Sequence, residues 1–140
     1  AKDSCVRNNL GLIFKKKGEL DRAVASFEEA IRQTPDFTLA YRNLAAIHSE
    51  RQDFSKALAV HEQCLSANGK TASANRALAW FLATCPQEDL RNGQRAIALA
   101  KVAVELSMKD GKAAYFALNT LAAAYAEAGN FDLAVSTQKQ

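Results

Sequence analysis

Leu10-Gly11, Leu44-Ala45 and Leu78-Ala79 set a leucine beside a small residue three times over, with 34 residues between successive copies. Leu121-Ala122 supplies a fourth copy after a longer step of 43 residues. A fixed period of this length arises when one supersecondary unit stacks on copies of itself, because each unit must present the same faces to its neighbours. The period predicts stacked helical repeats. It points to a surface that holds other proteins, not to a pocket for chemistry.

Working outward from Leu10, we place it at the seventh position of a unit that starts at Ser4. The first copy then reads Leu10, Gly11, Phe14, Ala23, Phe27 and Pro35. The second reads Tyr41, Leu44, Ala45, His48, Ala57 and His61, with Gly69 in place of the proline. The fourth reads Leu121, Ala122, Tyr125, Gly129, Phe131 and Ala134. This pattern resembles the tetratricopeptide repeat family over essentially the whole chain. The resemblance implies an all-α fold, an α-solenoid wound as a right-handed superhelix of about four helix-turn-helix repeats. The repeats are expected at about 4–37, 38–71, 72–114 with insertions, and 115–140, the last incomplete. Together they would form a single domain over 1–140.

The physical reasons for the pattern stand without the family. Small residues at the eighth and twentieth positions (Gly11 and Ala23, Ala45 and Ala57, Ala122 and Ala134) let the two helices of a unit approach closely. The aromatic at the eleventh position, Phe14 or Tyr125, fills the space that remains. Gly18 and Gly129 fall where a first helix must stop and supply the left-handed conformation of a helix C-terminus. Asn130 and Asp36 are placed to cap the helices that follow. The spacing predicts helices over 4–17, 20–33, 37–51, 54–67, 71–85, 92–107, 112–128 and 131–140. Within 20–33, Leu20, Ala23, Val24, Phe27, Ala30 and Ile31 share one face, and Glu28, Glu29 and Arg32 the other.

The third repeat departs from the others. Its first helix is in register at Leu78-Ala79, but its second resumes at Arg95-Ala96-Ile97, five residues late. Four more residues enter near Met108–Lys112, which completes the longer step to Leu121. The segment Ala77–Pro86, followed by Leu90-Arg91-Asn92-Gly93 and Arg95-Ala96, is similar to a variant repeat of large bacterial multi-repeat proteins.

The whole-chain properties limit the alternatives. With 140 residues the chain is about one domain long, and 49% apolar with 24% charged residues is ordinary for a globular protein. A net charge of +3, with no basic arm, does not call for nucleic acid. No run of about 18 apolar residues occurs, so no membrane insertion is expected. The N-terminus carries no charged-then-apolar targeting pattern. The chain starts at Ala1 without a methionine and stops at Gln140 inside an unfinished helical pattern, so it reads as a fragment of a longer protein.

The resemblance also implies where a ligand sits. In the family, the first helices of the units line a concave groove. The positions that face it hold Asn8, Asn9, Leu12, Lys15 and Lys16 in the first repeat, and Leu39, Arg42, Asn43, Ala46 and Ser49 in the second. The third repeat offers Arg76 and Trp80, and the fourth offers Phe116, Asn119, Thr120 and Ala123. Asn9 and Asn43 share the sixth position. An amide carries both an acceptor and a donor, so it pairs with an extended peptide backbone and reads no particular sequence. This is similar to the asparagine ladder of peptide-binding members of the family. The ladder is broken at Ala77, and Thr120 is a partial substitute. The alternative is that these asparagines satisfy helix ends or face water. A chaperone-tail clamp is not expected, because it wants lysine and asparagine where this chain has Asn8 and Leu12. Arg42 and Arg76 remain free to meet acidic side chains of a peptide.

Other residue types have structural readings. Lys15-Lys16-Lys17 closes the first helix, where cations complement its negative end. Trp80 is expected to pack beneath the Cys85–Gly93 turn, with a ligand anchor as the alternative. His61 and Cys64, three apart on one helix, occupy positions where the repeat wants core residues, and His48 replaces a core aromatic. They are read as packing rather than metal ligands. The three cysteines are scattered, which points to a reducing compartment rather than to a disulfide or zinc framework. No phosphate loop, nucleophile elbow or metal-binding helix motif occurs. No cofactor, metal or catalytic activity is expected.

The function expected is therefore a scaffold that binds an extended peptide or a partner helix. The alternative is a regulatory or substrate-selecting tail of a larger enzyme, glycosyltransferase-like or kinase. Self-association is a third possibility, since the last helix should expose Leu133 and Val135.

Overall fold

The periodicity becomes eight α-helices in the computed structural model, which describes residues 2–111 and 114–140. They are α1 (Lys2–Lys16), α2 (Leu20–Gln33), α3 (Thr38–Glu50), α4 (Phe54–Asn68), α5 (Ala72–Thr84), α6 (Gly93–Lys109), α7 (Tyr115–Glu127) and α8 (Phe131–Gln138). A single 3-10 turn, Glu88–Leu90, precedes α6. No strand occurs among the described residues. The fold is all-α, of the solenoid class that the sequence spacing predicts. Lys112, the expected start of the seventh helix, lies outside the described residues.

The helices gather into two compact units divided between Asn68 and Gly69. In the first unit α1 pairs with α2 and α3 with α4, and α3 packs on α2. Phe27 and Ile47 are fully buried at its centre. Gly11 explains how closely α1 and α2 approach: a Cβ built there would lie 2.6 Å from Cε1 of Phe27. In the second unit α6 and α7 both pack on α5, and α8 packs on α7. Leu78 is its buried centre. Gly93 sits against α7's C-terminal end, where a Cβ would lie 2.8 Å from the Ala128 nitrogen.

One carbonyl per repeat tells how each hairpin turns. The Phe14 carbonyl accepts from the Glu19 N–H at 2.9 Å, the His48 carbonyl from Asp53 at 2.8 Å and the Tyr125 carbonyl from Asn130 at 2.8 Å. This six-to-one closure needs a left-handed residue just before the donor. Gly18 (φ 78°), Gln52 (φ 61°) and Gly129 (φ 79°) supply it. In the third repeat the equivalent residue is Pro86, whose ring locks φ near −65°. The tight turn cannot form there. The chain runs on through the 3-10 turn until the Asn92 N–H reaches the equivalent Leu82 carbonyl at 2.9 Å. The five-residue delay read from the sequence is thus the consequence of one proline.

The helix caps differ from expectation. Neither Asn130 nor Asp36 caps: Asn130 occupies the N-cap without a side-chain bond, and the N-cap of α3 is Phe37. Two side-chain caps lie in the second unit. Thr71 Oγ1 accepts from the Ala74 N–H at 3.3 Å, and Asn92 Oδ1 from the Arg95 N–H at 2.9 Å. A cap needs an extended backbone and a reachable N–H, and residue type alone does not give these.

Candidate interaction surface

The first helices carry the residues that the repeat pattern assigns to a ligand, and each unit places them differently. In the first unit Asn9 and Arg42 are exposed, and Leu12 on α1 is exposed as well. Ala46 and Asn43 are partly covered on α3. Lys15 forms an ion pair with Glu50 across α1 and α3, Nζ to Oε1 2.6 Å. Asn8 is buried, and its Oδ1 accepts a 2.9 Å hydrogen bond from Nδ2 of Asn43. Asn43 therefore reaches across to α1 and not to its repeat equivalent Asn9. A buried amide needs a partner, and another amide on the neighbouring helix satisfies it. Asn8 thus fastens α1 to α3, and Asn43 keeps its oxygen and its second amide hydrogen to meet a ligand.

The second unit is apolar where the first is polar. Trp80 is 49% exposed, so it does not pack beneath the Cys85–Gly93 turn. It borders a cleft of about 560 Å³ whose wall includes Asn119, Ala123, Phe131 and Val135. Small residues on α7 leave the room, and the indole closes one side. The guanidinium of Arg76 lies 5.7 Å from the Phe116 ring centroid. Phe116 meets Tyr115 edge-to-face with centroids 5.6 Å apart. Thr120 is buried, and its hydroxyl donates to the Phe116 carbonyl at 2.9 Å. That back-bond along its own helix takes the hydroxyl out of any ladder. Tyr115 and Phe131 are exposed aromatics that the groove pattern does not name. Their large apolar side chains on helix-start positions were the signal.

The histidines and the core cysteine behave as packing residues. Burial pushes the Cys64 thiol up to about 11 and holds the His61 imidazole down at about 4. Burial also lowers His48, helped by the charge of Lys56. Its Nδ1 is enclosed without a hydrogen-bond partner. No group of three or more His, Cys, Asp or Glu among the described residues is placed to hold a metal ion. No helix of those residues is long and apolar enough to cross a membrane.

Tandem helical hairpins with exposed side chains at recurring positions on their first helices define a class: repeat proteins that offer surface to other proteins. Comparison gives the family. Residues 11–52 match a family described as TPR repeat, and residues 40–73 one described as tetratricopeptide repeat. Residues 11–73 thus carry tetratricopeptide repeats. It is 33% identical over 69 residues to the uncharacterized protein ycf37 of Pyropia yezoensis, covering 49% of this chain and 39% of that one. It is 30% identical over 73 residues to the chloroplastic tetratricopeptide repeat protein PYG7 of Arabidopsis thaliana, covering 51% of this chain and 24% of that protein. The chain thus spans well under half the length of these curated relatives.

Among solved structures, that of PilW, a widely conserved type IV pilus biogenesis factor, superposes with a TM-score of 0.77 at 25% identity. The match covers 97% of this chain and 59% of PilW. MamA of Desulfovibrio magneticus gives 0.68 at 18% identity over 98% of this chain and 72% of its own. The second likeness is one of fold alone.

Proposed function

We propose that this chain is a protein-binding scaffold whose partner, an extended peptide or a helix, lies on the exposed residues of the first helices. The observation that carries the reading is a division by repeat position. Leu44 and Ala45 on α3 and Leu78 and Ala79 on α5, which hold the hairpins together, are buried, while Arg42 and Trp80 are exposed on those same helices, as are Asn9 and Leu12 on α1. Asn9 and the free oxygen of Asn43 address a peptide backbone, Arg42 and Arg76 acidic side chains, and Trp80 with Asn119 a bulky apolar one. Ala46 leaves room for the backbone, and Lys15 keeps its charge at the rim through its pair with Glu50. The partner is a protein or peptide and not nucleic acid, in keeping with a small net charge. The repeats themselves are non-enzymatic, as is general in the family.

The test is selection of peptides from a random library on the immobilised chain, then calorimetry with the tightest one. Trp80→Ala and the pair Asn9→Ala with Arg42→Ala should each weaken it at least tenfold with the melting temperature unchanged. Unaltered affinity in both variants would remove this surface from the reading. The matched relatives are longer than this chain. A second reading therefore keeps these repeats as the partner-selecting segment of a larger enzyme, and a catalytic domain in the full reading frame would favour it. Self-association through exposed Leu133 and Val135 belongs to the same surface-binding reading.

A further inference from the structure

The bonds Asn8 to Asn43 and Lys15 to Glu50 join α1 directly to α3 in one register. Asn8 and Lys15 stand two helical turns apart on α1, as Asn43 and Glu50 do on α3, so the bonds are rungs of one seam. Leu12 and Ala46 lie between the rungs, three or four residues from each and therefore on the same stripes. The seam thus runs from an amide pair through an apolar step to an ion pair. Leu12 is exposed and Ala46 partly covered, so the step is open to a partner.

The two rungs differ in what they constrain. The Lys15 and Glu50 side chains are both well exposed, and a pair of that kind constrains little. Asn8 is 2% exposed, and a buried amide oxygen needs a donor. Nδ2 of Asn43 supplies it at 2.9 Å. That bond decides which way the Asn43 amide faces. An amide carries its nitrogen and its oxygen on opposite edges, so a nitrogen held toward α1 turns the oxygen away from it. Reversing Asn43 alone would set oxygen against oxygen.

We propose that Asn8 is a positioning residue, which holds Asn43 so that its carbonyl oxygen receives a backbone N–H of an extended peptide. This rests on the scaffold reading and narrows its partner to an extended segment. A helix spends its N–H groups on its own carbonyls, all but those of the first turn. An extended segment has no internal bonds, and every N–H is free to donate. The second amide hydrogen of Asn43 addresses a carbonyl of the same segment, and Leu12 with Ala46 takes an apolar side chain beside it. Asn8 itself touches no ligand.

The probe is the tightest peptide selected from the library, made as a series in which one backbone N–H at a time is replaced by an ester oxygen. With wild type, calorimetry should show one position whose ester binds about fivefold more weakly or worse. Asn43→Ala should abolish that ester penalty. Asn8→Leu, which keeps the volume and removes the acceptor, should cut it to about twofold or less. Asn8→Asp, which restores an acceptor for Nδ2, should bring it back. Circular dichroism checks that the variants keep wild-type helicity. Proton exchange in wild type serves if a variant does not fold: the Asn43 side-chain amide should be protected with and without peptide. An unprotected amide would overturn the proposal. So would an ester penalty that Asn43→Ala abolishes and Asn8→Leu leaves whole. A series with no sensitive ester, or a peptide that turns helical on binding, would also overturn it, yet the scaffold reading would stand if Trp80→Ala still weakened binding. Failure to select any peptide would remove both.

Discussion

The two hairpins of the first unit share a register and a turn, yet their crossings are filled by different chemistry. Between α1 and α2, Gly11 meets the fully buried ring of Phe27, and the Arg22 guanidinium lies 4.0 Å from the Phe14 ring centroid. Between α3 and α4 the same places hold Ala45, His61 and His48. Imidazole is smaller than phenyl and prefers water. Burial accordingly depresses both histidines, and a cleft of about 620 Å³ bordered by His48 opens among α2, α3 and α4. The first hairpin is governed by volume and the second by protonation.

That contrast breaks most readily at Phe27. Phe27→Ala should cost about 3–5 kcal/mol, the usual penalty for emptying an aromatic from a core. His61→Ala should cost less than half of that in the same urea titration. Equal losses would mean that the two crossings are equivalent after all.

The next effect is one of pH. The folded state holds His61 near 4, below its ordinary 6.5, so the unfolded chain takes up the proton first. Stability is complete above about 6.5 and falls on the order of 2–3 kcal/mol as pH drops toward 4. A phenylalanine at 61 would meet the Cβ of Ala45 just as Phe27 would meet one on Gly11. The transplant is therefore made in pairs, Ala45→Gly with His61→Phe. Melting temperatures of this variant between pH 7 and pH 4 should decline less steeply than those of the wild type. Parallel declines would acquit His61.

Gly11→Ala comes third, at about 1–3 kcal/mol of overpacking against the Phe27 ring. Ala45→Gly, which opens space and loosens the helix, should cost about 0.5–1 kcal/mol. The smallest effect is at the turns. Gln52 adopts a left-handed conformation that glycine provides in the first and fourth repeats. Gln52→Gly should stabilise by about 0.5–1 kcal/mol, measured by thermal unfolding. A loss would show that the Gln52 side chain contributes more than its backbone strain.

Much of this was legible in the residues because the repeat imposes itself locally. The four Leu-small pairs placed the helices. Gly18 and Gly129 marked turns, and late resumption at Arg95 marked the insertion. What escaped was whatever depends on a neighbour. Asn8 and Asn9 are indistinguishable as letters, and only the position of α3 decides that Asn8 is buried against Asn43. Trp80 looked like a core residue because it is large and apolar, but the small residues of α7 leave it at a cleft. Thr71 and Asn92 cap while Asp36 and Asn130 do not, since capping depends on the backbone angle at which the chain enters a helix.

The sequence by itself determined the helical hairpins, their period and the family, because side-chain volume at fixed spacing dictates how two helices cross. Tertiary structure alone decided which polar residues remain available to a partner and which apolar faces stay uncovered. Burial is a property of pairs of elements, and a one-dimensional pattern fixes a residue's face without fixing what lies against it.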